Sequence, residues 1–265
     1  MFAAMATDFT GGGDPARSIA LLWGVPGPAR RGPKPSRTVE EVVDAAIALA
    51  DAEGLAALSI RRVAETLGLS SMSLYTYVPS KAELIDLMLD RVAGEGFNPT
   101  ASTQDWRGKL EAIARDGWAR AQRHPWVMQI GPHRPPLGPN MLARVEATLS
   151  AIDGLGLDEM EMDLLTSLVS DYVRGSVRSA LEASEVEQLS GITDDQWWAM
   201  VKQLLKGLVD PRRYPTAVRV GAAFEEANRT GIPDKSARFE FGLQRMLDGI
   251  EVFIALRRGE PTRPG

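Results

Sequence analysis

Hydrophobic residues between positions 38 and 93 recur at intervals of three and four, which is the spacing of a buried stripe along an α-helix. The first stripe consists of Val43, Ala46, Ile47 and Ala50. Just before it, Thr38 and Glu41 have the Thr-x-x-Glu spacing of a capping box, in which side chains satisfy the free N–H groups of a helix start. We therefore predict a helix from Val39 to about Glu53, with Gly54 as its C-cap.

Three shorter helical patterns follow the first one. A second helix begins after Ser59 and ends at Gly68, and a third covers about residues 71 to 78 and ends at Pro79. A fourth begins with another capping box, formed by Ser80 and Glu83. Two short helices joined by a glycine-bearing turn, the second of them poor in charge, form a helix-turn-helix pattern.

Beyond Gly94 the chain turns to longer helical periods. We predict helices at about 104–123, 138–153, 158–184, 193–209 and 234–258. Alternating β-branched runs with hairpin turns, the pattern of strands, are not found. The sequence therefore predicts an all-α protein, with an N-terminal three-helix helix-turn-helix domain over residues 38–93 and a C-terminal helical domain over residues 94–265.

Residues 1–37 are rich in glycine and proline, and we expect them to form a flexible arm without regular structure. The end of this arm carries four positive charges and no acid among them: Arg30, Arg31, Lys34 and Arg37. Such a segment is either a solvated linker or a basic arm that contacts a DNA minor groove.

Composition narrows the possible chemistry of the 265-residue chain. Its net charge of −5 gives no global field that would attract nucleic acid, so any DNA-binding surface must be locally positive. There is no cysteine, and the two histidines are His124 and His133, which leaves few places for metal or triad chemistry, and we expect neither a metal nor a cofactor. The apolar run at 18–24 is too short to span a bilayer, so we expect a soluble, cytoplasmic protein without a membrane partner.

The run LSSMSLYTYVPSKAE at residues 69–83 contains two of the four tyrosines of the chain. Aromatic and hydroxyl side chains interleaved on a short helix suit a packed corner, a sugar or cofactor site, or a surface that lies in a DNA groove. The flanking residues distinguish these alternatives. The span from Thr38 to Val92 resembles the DNA-binding domain of the tetracycline-repressor (TetR) family of transcriptional regulators. The residues that carry the resemblance are Gly54, Ala64, Gly68, Leu69, Leu74, Tyr75, Tyr77 and Lys81.

The resemblance implies a set of DNA-contacting residues at the helix-turn-helix. These are Arg61, Ser71, Met72, Ser73, Tyr75, Thr76, Tyr77 and Lys81. Hydroxyl groups can bond base edges or phosphates, and a methionine offers an apolar contact to a thymine methyl group. Lys81 adds its charge to a helix N-terminus that can hold a phosphate. The alternative is that Tyr75 and Tyr77 only pack the corner of the unit.

The C-terminal part resembles the ligand-binding domain of the tetracycline-repressor class. The segments that carry this likeness are LLWG at 21–24, RHPWV at 123–127, residues 137–157 and residues 239–254. It implies an apolar cavity for a small-molecule effector, for which the candidate residues are Trp118, His124, Trp126, Met128 and Tyr172. Each of these could instead be ordinary core, and for His124 a polar wall or a capped carbonyl is an alternative to metal ligation.

Together these features predict a homodimeric transcriptional repressor that binds a palindromic double-stranded DNA operator and is released by its effector. The helices at 158–184 and 234–258 are the expected dimer interface. We expect no enzymatic activity, because no paired carboxylates, activated nucleophile or phosphate-binding loop appears. The alternatives are an all-α small-molecule-binding enzyme and an interaction protein without DNA-binding activity.

Overall fold

The computed structural model describes residues 11–25, 37–96, 105–131, 134–230 and 235–259. Within these ranges the chain forms eleven α-helices, which confirms the all-α prediction. None of the helices in the described ranges has a stretch long and apolar enough to cross a membrane. The helices are α1 (Pro15–Leu22), α2 (Val39–Glu53), α3 (Ile60–Thr66), α4 (Ser71–Leu74), α5 (Lys81–Ala93), α6 (Trp106–Arg123), α7 (Pro139–Ile152), α8 (Glu159–Ser190), α9 (Asp194–Leu205), α10 (Pro215–Thr230) and α11 (Lys235–Arg258).

A first hydrophobic core lies among α2, α3, α4 and α5. Its fully buried side chains include Val42, Leu58, Leu74, Leu84 and Met88. The capping box that starts α2 is formed as predicted: the Glu41 N–H donates to the Thr38 hydroxyl at 3.2 Å, and the Glu41 carboxylate accepts from the Thr38 N–H at 2.8 Å. Gly54 ends α2 with φ of 82°, a left-handed conformation that favours glycine.

A second core lies among α6, α7, α8 and α11. Leu110, Ile152, Leu243, Leu247 and Ile250 are buried there. The short 3₁₀ turn Pro125–Gln129, which follows α6, packs its Trp126 against the first core rather than the second. Because α6 belongs to the second core, this turn links the two cores. The predicted domain boundary at residue 93 stays a prediction.

One expectation about the N-terminal arm is wrong, because residues 15–22 of the 1–37 segment form the helix α1. Asp14 caps it by accepting the N–H of Ala16, and the helix is fixed to α5 by tertiary contacts. The Ser18 hydroxyl donates to Asp86 at 2.8 Å, and the Asp14 N–H donates to Glu83 at 3.1 Å. The arm cations Arg30, Arg31 and Lys34 lie outside the described residues.

The expected capping box at Ser80 is also wrong. The Ser80 hydroxyl accepts from the Ala82 N–H and donates to the carboxylate of Glu83, which does not return to the Ser80 N–H. Since Glu83 also accepts the backbone N–H of Asp14, its side chain is used to hold α1. The third predicted helix is shorter than expected: α4 ends at Leu74, and the next residues form a tight turn in which the Thr76 and Tyr77 N–H groups bond three residues back.

Candidate DNA-binding surface and effector cavity

The helix-turn-helix is formed by α3, a turn at Gly68 and α4. Ser59 caps α3 through the N–H of Arg62, and Ser70 caps α4 through the N–H of Ser73 at 3.1 Å. Gly68 has φ of 67°, which lets the chain reverse between the helices. Leu74, the last residue of α4, is fully buried and anchors the short helix to the first core.

The outer side of α4 presents the side chains that sequence reasoning placed against DNA. Met72 is 77% exposed and Tyr75 is 47% exposed. The Ser73 hydroxyl lies 2.8 Å from the Ser70 hydroxyl, and the Thr76 hydroxyl donates to the Ser73 carbonyl oxygen at 2.6 Å. Met72 and Tyr75 are therefore open to a partner, whereas Ser73 and Thr76 already make short-range hydrogen bonds.

Tyr77 differs from Tyr75. It is half-buried against the first core, and its hydroxyl accepts the backbone N–H of Arg37 at 3.2 Å. This bond fixes the chain just before α2. Ser71 at the start of α4 and Lys81 at the start of α5 are both half-exposed.

The two arginines of α3 are paired with acids. The Arg61 guanidinium donates to Glu65 at 2.8 Å, and this hydrogen bond raises the pKa of Arg61. Arg62 makes two bonds of 2.7 Å to Glu53. Because such pairs at an exposed surface are weak, Arg61 could exchange its acid for a phosphate at little cost.

His124 and Trp126 join the two cores. The two ring nitrogens of His124 lie 2.8 Å from carboxylate oxygens of Asp51 at the end of α2 and of Glu95 after α5. The indole N–H of Trp126 donates to the same Asp51 oxygen at 2.7 Å. His124 and Trp126 are both buried, so this cluster, which we call the Asp51 link, ties the end of α6 to the helix-turn-helix unit.

A cavity of about 590 Å³ lies among α5, α6, α7, α8 and the 3₁₀ turn. Of the predicted effector residues, Met128 lines it. Trp118 and Tyr172 instead stack on Phe239 in the second core, with ring centroids 4.5 and 5.8 Å apart, and His124 and Trp126 belong to the Asp51 link. An effector role for these five residues stays a prediction.

The cavity also contains three arginines that sequence reasoning missed, Arg120, Arg144 and Arg174. Burial lowers the pKa of Arg120 to about 10, helped by the neighbouring charge of Arg144, and burial also lowers the pKa of Arg144 and Arg174. A signal was available, since Arg120 follows Ile113 by seven residues and Gly117 by three, which places all three on one face of α6.

No group of three or more histidine, aspartate or glutamate side chains in the described part of the chain is arranged to hold a metal ion. His133, the second histidine, lies outside that part. The described residues present two surfaces of interest: an exposed polar and aromatic face on α4, and a cavity with apolar walls and guanidinium groups that are partly removed from water.

Comparison with known proteins gives a consistent result. Residues 42–88 match the family model for bacterial regulatory proteins of the tetR family, and residues 98–254 match the tetracyclin repressor-like C-terminal domain. The chain is 45% identical over 258 residues to the HTH-type transcriptional repressor DrrR1 of Streptomyces coeruleorubidus, covering 97% of this chain and 93% of that protein. It is 25% identical over 229 residues to the HTH-type transcriptional repressor Rv1353c of Mycobacterium tuberculosis, covering 84% of each. Among solved structures, the TetR family protein ActR of Streptomyces coelicolor in complex with actinorhodin matches with a TM-score of 0.67 and 27% identity, covering 82% of this chain and 96% of that one.

Proposed function

The chain belongs to the tetR family of bacterial regulatory proteins and is a DNA-binding, ligand-responsive transcriptional repressor, and we propose that it acts as a homodimer on a palindromic operator. Each subunit places one α4 in a major groove. A twofold dimer must hold the two α4 helices about 34–36 Å apart, or a multiple of that, to meet successive groove faces. Its target, the bacterial chromosome, lies in the cytoplasm.

In this proposal Met72 and Ser73 read base edges, while Tyr75 and Lys81 bond phosphates. The exposure of Met72 and Tyr75 supports this division. A methionine can contact a thymine methyl group, and the first residue of α5 sits where a helix N-terminus favours an anion. Tyr77 supports the site by holding the Arg37 N–H, rather than by contacting DNA.

The dimer proposal is supported by apolar side chains that α8 and α11 leave exposed. On α8 they include Met160, Leu164 and Leu168, which recur at intervals of four residues; on α11 they are Phe241, Val252 and Leu256. Two helices from each subunit can bury such faces against each other as a four-helix bundle. No residue of α9 is buried, and its exposed Trp197 and Trp198 offer further apolar surface to a second subunit.

The single observation that carries the switch is the position of α5. Its first residue, Lys81, follows the end of α4 by only seven residues, and Leu89, Val92 and Ala93 near its other end line the cavity. Thirteen residues of helix span about 20 Å. An effector that fills the cavity and displaces the end of α5 would tilt α4 and change the spacing between the two heads. Such an effector acts only through its different affinities for the two states.

The proposal is tested by binding the full chain to DNA upstream of its own gene in a gel-shift assay. The double variant Tyr75→Ala, Lys81→Ala is expected to fold and dimerise normally but to bind that DNA more weakly, with the salt dependence of log K reduced by roughly one for the lost charge. The matched control is Arg219→Ala, an exposed cation of α10, a helix that the proposal places neither at the DNA nor in the dimer interface. Operator affinity unchanged in the double variant would reject the assignment.

A further inference from the structure

The part of the cavity formed by Arg120 and Arg144 carries more positive than negative charge. One oxygen of Asp116 accepts from Arg144 at 2.6 Å and from Arg120 at 3.1 Å, so a single carboxylate serves two guanidinium groups. Arg144 directs its other N–H groups to the carbonyl oxygens of Ala93 and Glu95. The side chain of Arg120 is only 22% exposed, and among the described residues it donates to Asp116 alone. Most of its five donors are therefore available to a ligand.

Arg174 on α8 is in a similar position. Its side chain lines the cavity and is half-buried, and within the described ranges it makes neither a hydrogen bond nor an ion pair. Asp171, one turn earlier on the same helix, is exposed and acts on Arg174 only at a distance. A guanidinium group removed from water without a partner is costly, which favours an anion beside it.

The acidic residues at the cavity do not reverse its preference for an anion. Asp163 and Asp171 both line it, but both are exposed and remain in contact with solvent. A ligand cation that paired with them would gain only the small energy of an exposed ion pair. An anion that reached Arg120 and Arg174 would instead satisfy donors that are partly removed from water, where charge-assisted hydrogen bonds are strong.

The remaining walls define the rest of the ligand. The walls formed by α5, α6 and α7 are largely apolar, with Val92, Ile113 and Met141 among their residues. The wall formed by α8 presents hydroxyl groups at helical spacing on Thr166, Ser167 and Ser170. A volume of about 590 Å³ is that of a site for a drug-sized molecule. The cavity thus suits a ligand with one apolar side and one polar edge.

We propose that this cavity binds a mostly apolar organic acid, whose carboxylate or ionised phenol is held by Arg174 and Arg120 while its polar edge faces the hydroxyl groups of α8. The inference rests on the proposed function, in which the occupant of the cavity is the effector. It adds the chemical class of that effector and the two residues that select it.

The test uses three fluorescent probes of one shape and different charge: 2-anthracenecarboxylate, the neutral 2-anthracenecarboxamide and the cationic 2-aminomethylanthracene. Dissociation constants for the full chain are measured by fluorescence anisotropy at about pH 7.5, at which the carboxylic acid probe and the amine probe are both ionised. The variants are Arg174→Gln, which removes the charge, and Arg174→Lys, which keeps it. Arg178→Gln is the control, because Arg178 lies on α8 one turn further on, exposed and paired with Glu182 at 3.0 Å.

The wild type is expected to bind the carboxylate about ten-fold or more tightly than the carboxamide, as a charge-assisted bond implies, and to bind the amine most weakly. Arg174→Gln should remove most of that preference and leave carboxamide affinity within about two-fold, whereas Arg174→Lys and Arg178→Gln should keep it. Failure of the wild type to bind the carboxylate, equal affinity for all three probes, or an unchanged preference in Arg174→Gln would overturn the proposal. Operator binding without any probe is measured in parallel, so a failure of the repressor assignment is seen separately.

Discussion

Replacement of His124 by alanine should weaken both the fold and the communication between the two cores. The side chain is buried and each ring nitrogen lies 2.8 Å from a carboxylate. A hydrogen bond to a charged partner contributes about 1.5–3 kcal/mol when it is well shielded. Here Asp51 and Glu95 are 31% and 37% exposed, so solvent screening reduces the contribution of each bond. We therefore expect a loss of about 2–3 kcal/mol in the free energy of unfolding, including the lost packing against Trp126.

The assay is urea unfolding at one fixed protein concentration, because a dimer gains apparent stability with concentration. The control is Arg62→Ala, which removes a two-bond ion pair with Glu53 that is open to solvent, and which should cost no more than about 1 kcal/mol. The Asp51 link ties the end of α6 to α2, so a higher effector concentration should be needed to release the operator from the His124→Ala variant. The affinity of this variant for the operator without effector should stay near that of the wild type. A loss below about 0.5 kcal/mol, equal to that of an ordinary surface substitution, would refute this reasoning.

Three further predictions concern the other parts of the molecule. Replacing Met72 or Ser73 by alanine should change the preferred operator bases by roughly 1–3 kcal/mol per lost contact, and a binding-site selection that returns the wild-type consensus would show that neither residue reads DNA. Leu164→Glu should place a charge in the proposed α8 interface and halve the mass measured by light scattering, whereas an unchanged dimer would place the interface elsewhere. Burial raises the pKa of Asp86, although the hydrogen bond from Ser18 acts in the opposite direction. Ionisation of Asp86 therefore lowers the free energy of unfolding as the pH rises through the raised pKa. Asp86→Asn should therefore be more stable than the wild type at neutral pH, with the gain absent below about pH 4, and a gain that persists at low pH would contradict this explanation.

Local signals explain which parts of the fold could be predicted from the sequence. Capping residues and terminal glycines mark α2 and α3 without help from distant residues, and the apolar stripes of α6, α7 and α11 are long enough to identify alone. By contrast, α1 lies among glycines and prolines and depends on bonds to Glu83 and Asp86, almost seventy residues away. The helix α10 was missed although its sequence, PTAVRVGAAFEEANRT, places Val220, Ala223 and Phe224 at helical spacing, because this apolar stripe is much shorter than those of α6, α7 and α11.

An effector cavity was expected, but most of the residues that line it could not be predicted, because its walls come from five separate elements. Only the packing of α5, α6, α7, α8 and the 3₁₀ turn brings Arg120 and Arg174 to one space. Aromatic residues that sequence reasoning favoured as effector contacts, such as Trp118 and Tyr172, are used in the stack with Phe239. The DNA-binding face is different, since its candidate residues lie within one short segment whose helical spacing fixes their relative positions.

The most direct test of the central claim is a binding selection from random double-stranded DNA with the full chain, repeated with the Leu164→Glu variant. A homodimeric repressor of this kind should enrich an inverted repeat whose half-site centres are about one helical turn, 10–10.5 base pairs, or a multiple of that apart. The variant should enrich single half-sites with much lower affinity. Enrichment of no sequence by the wild type, or of single half-sites by both proteins, would contradict the account.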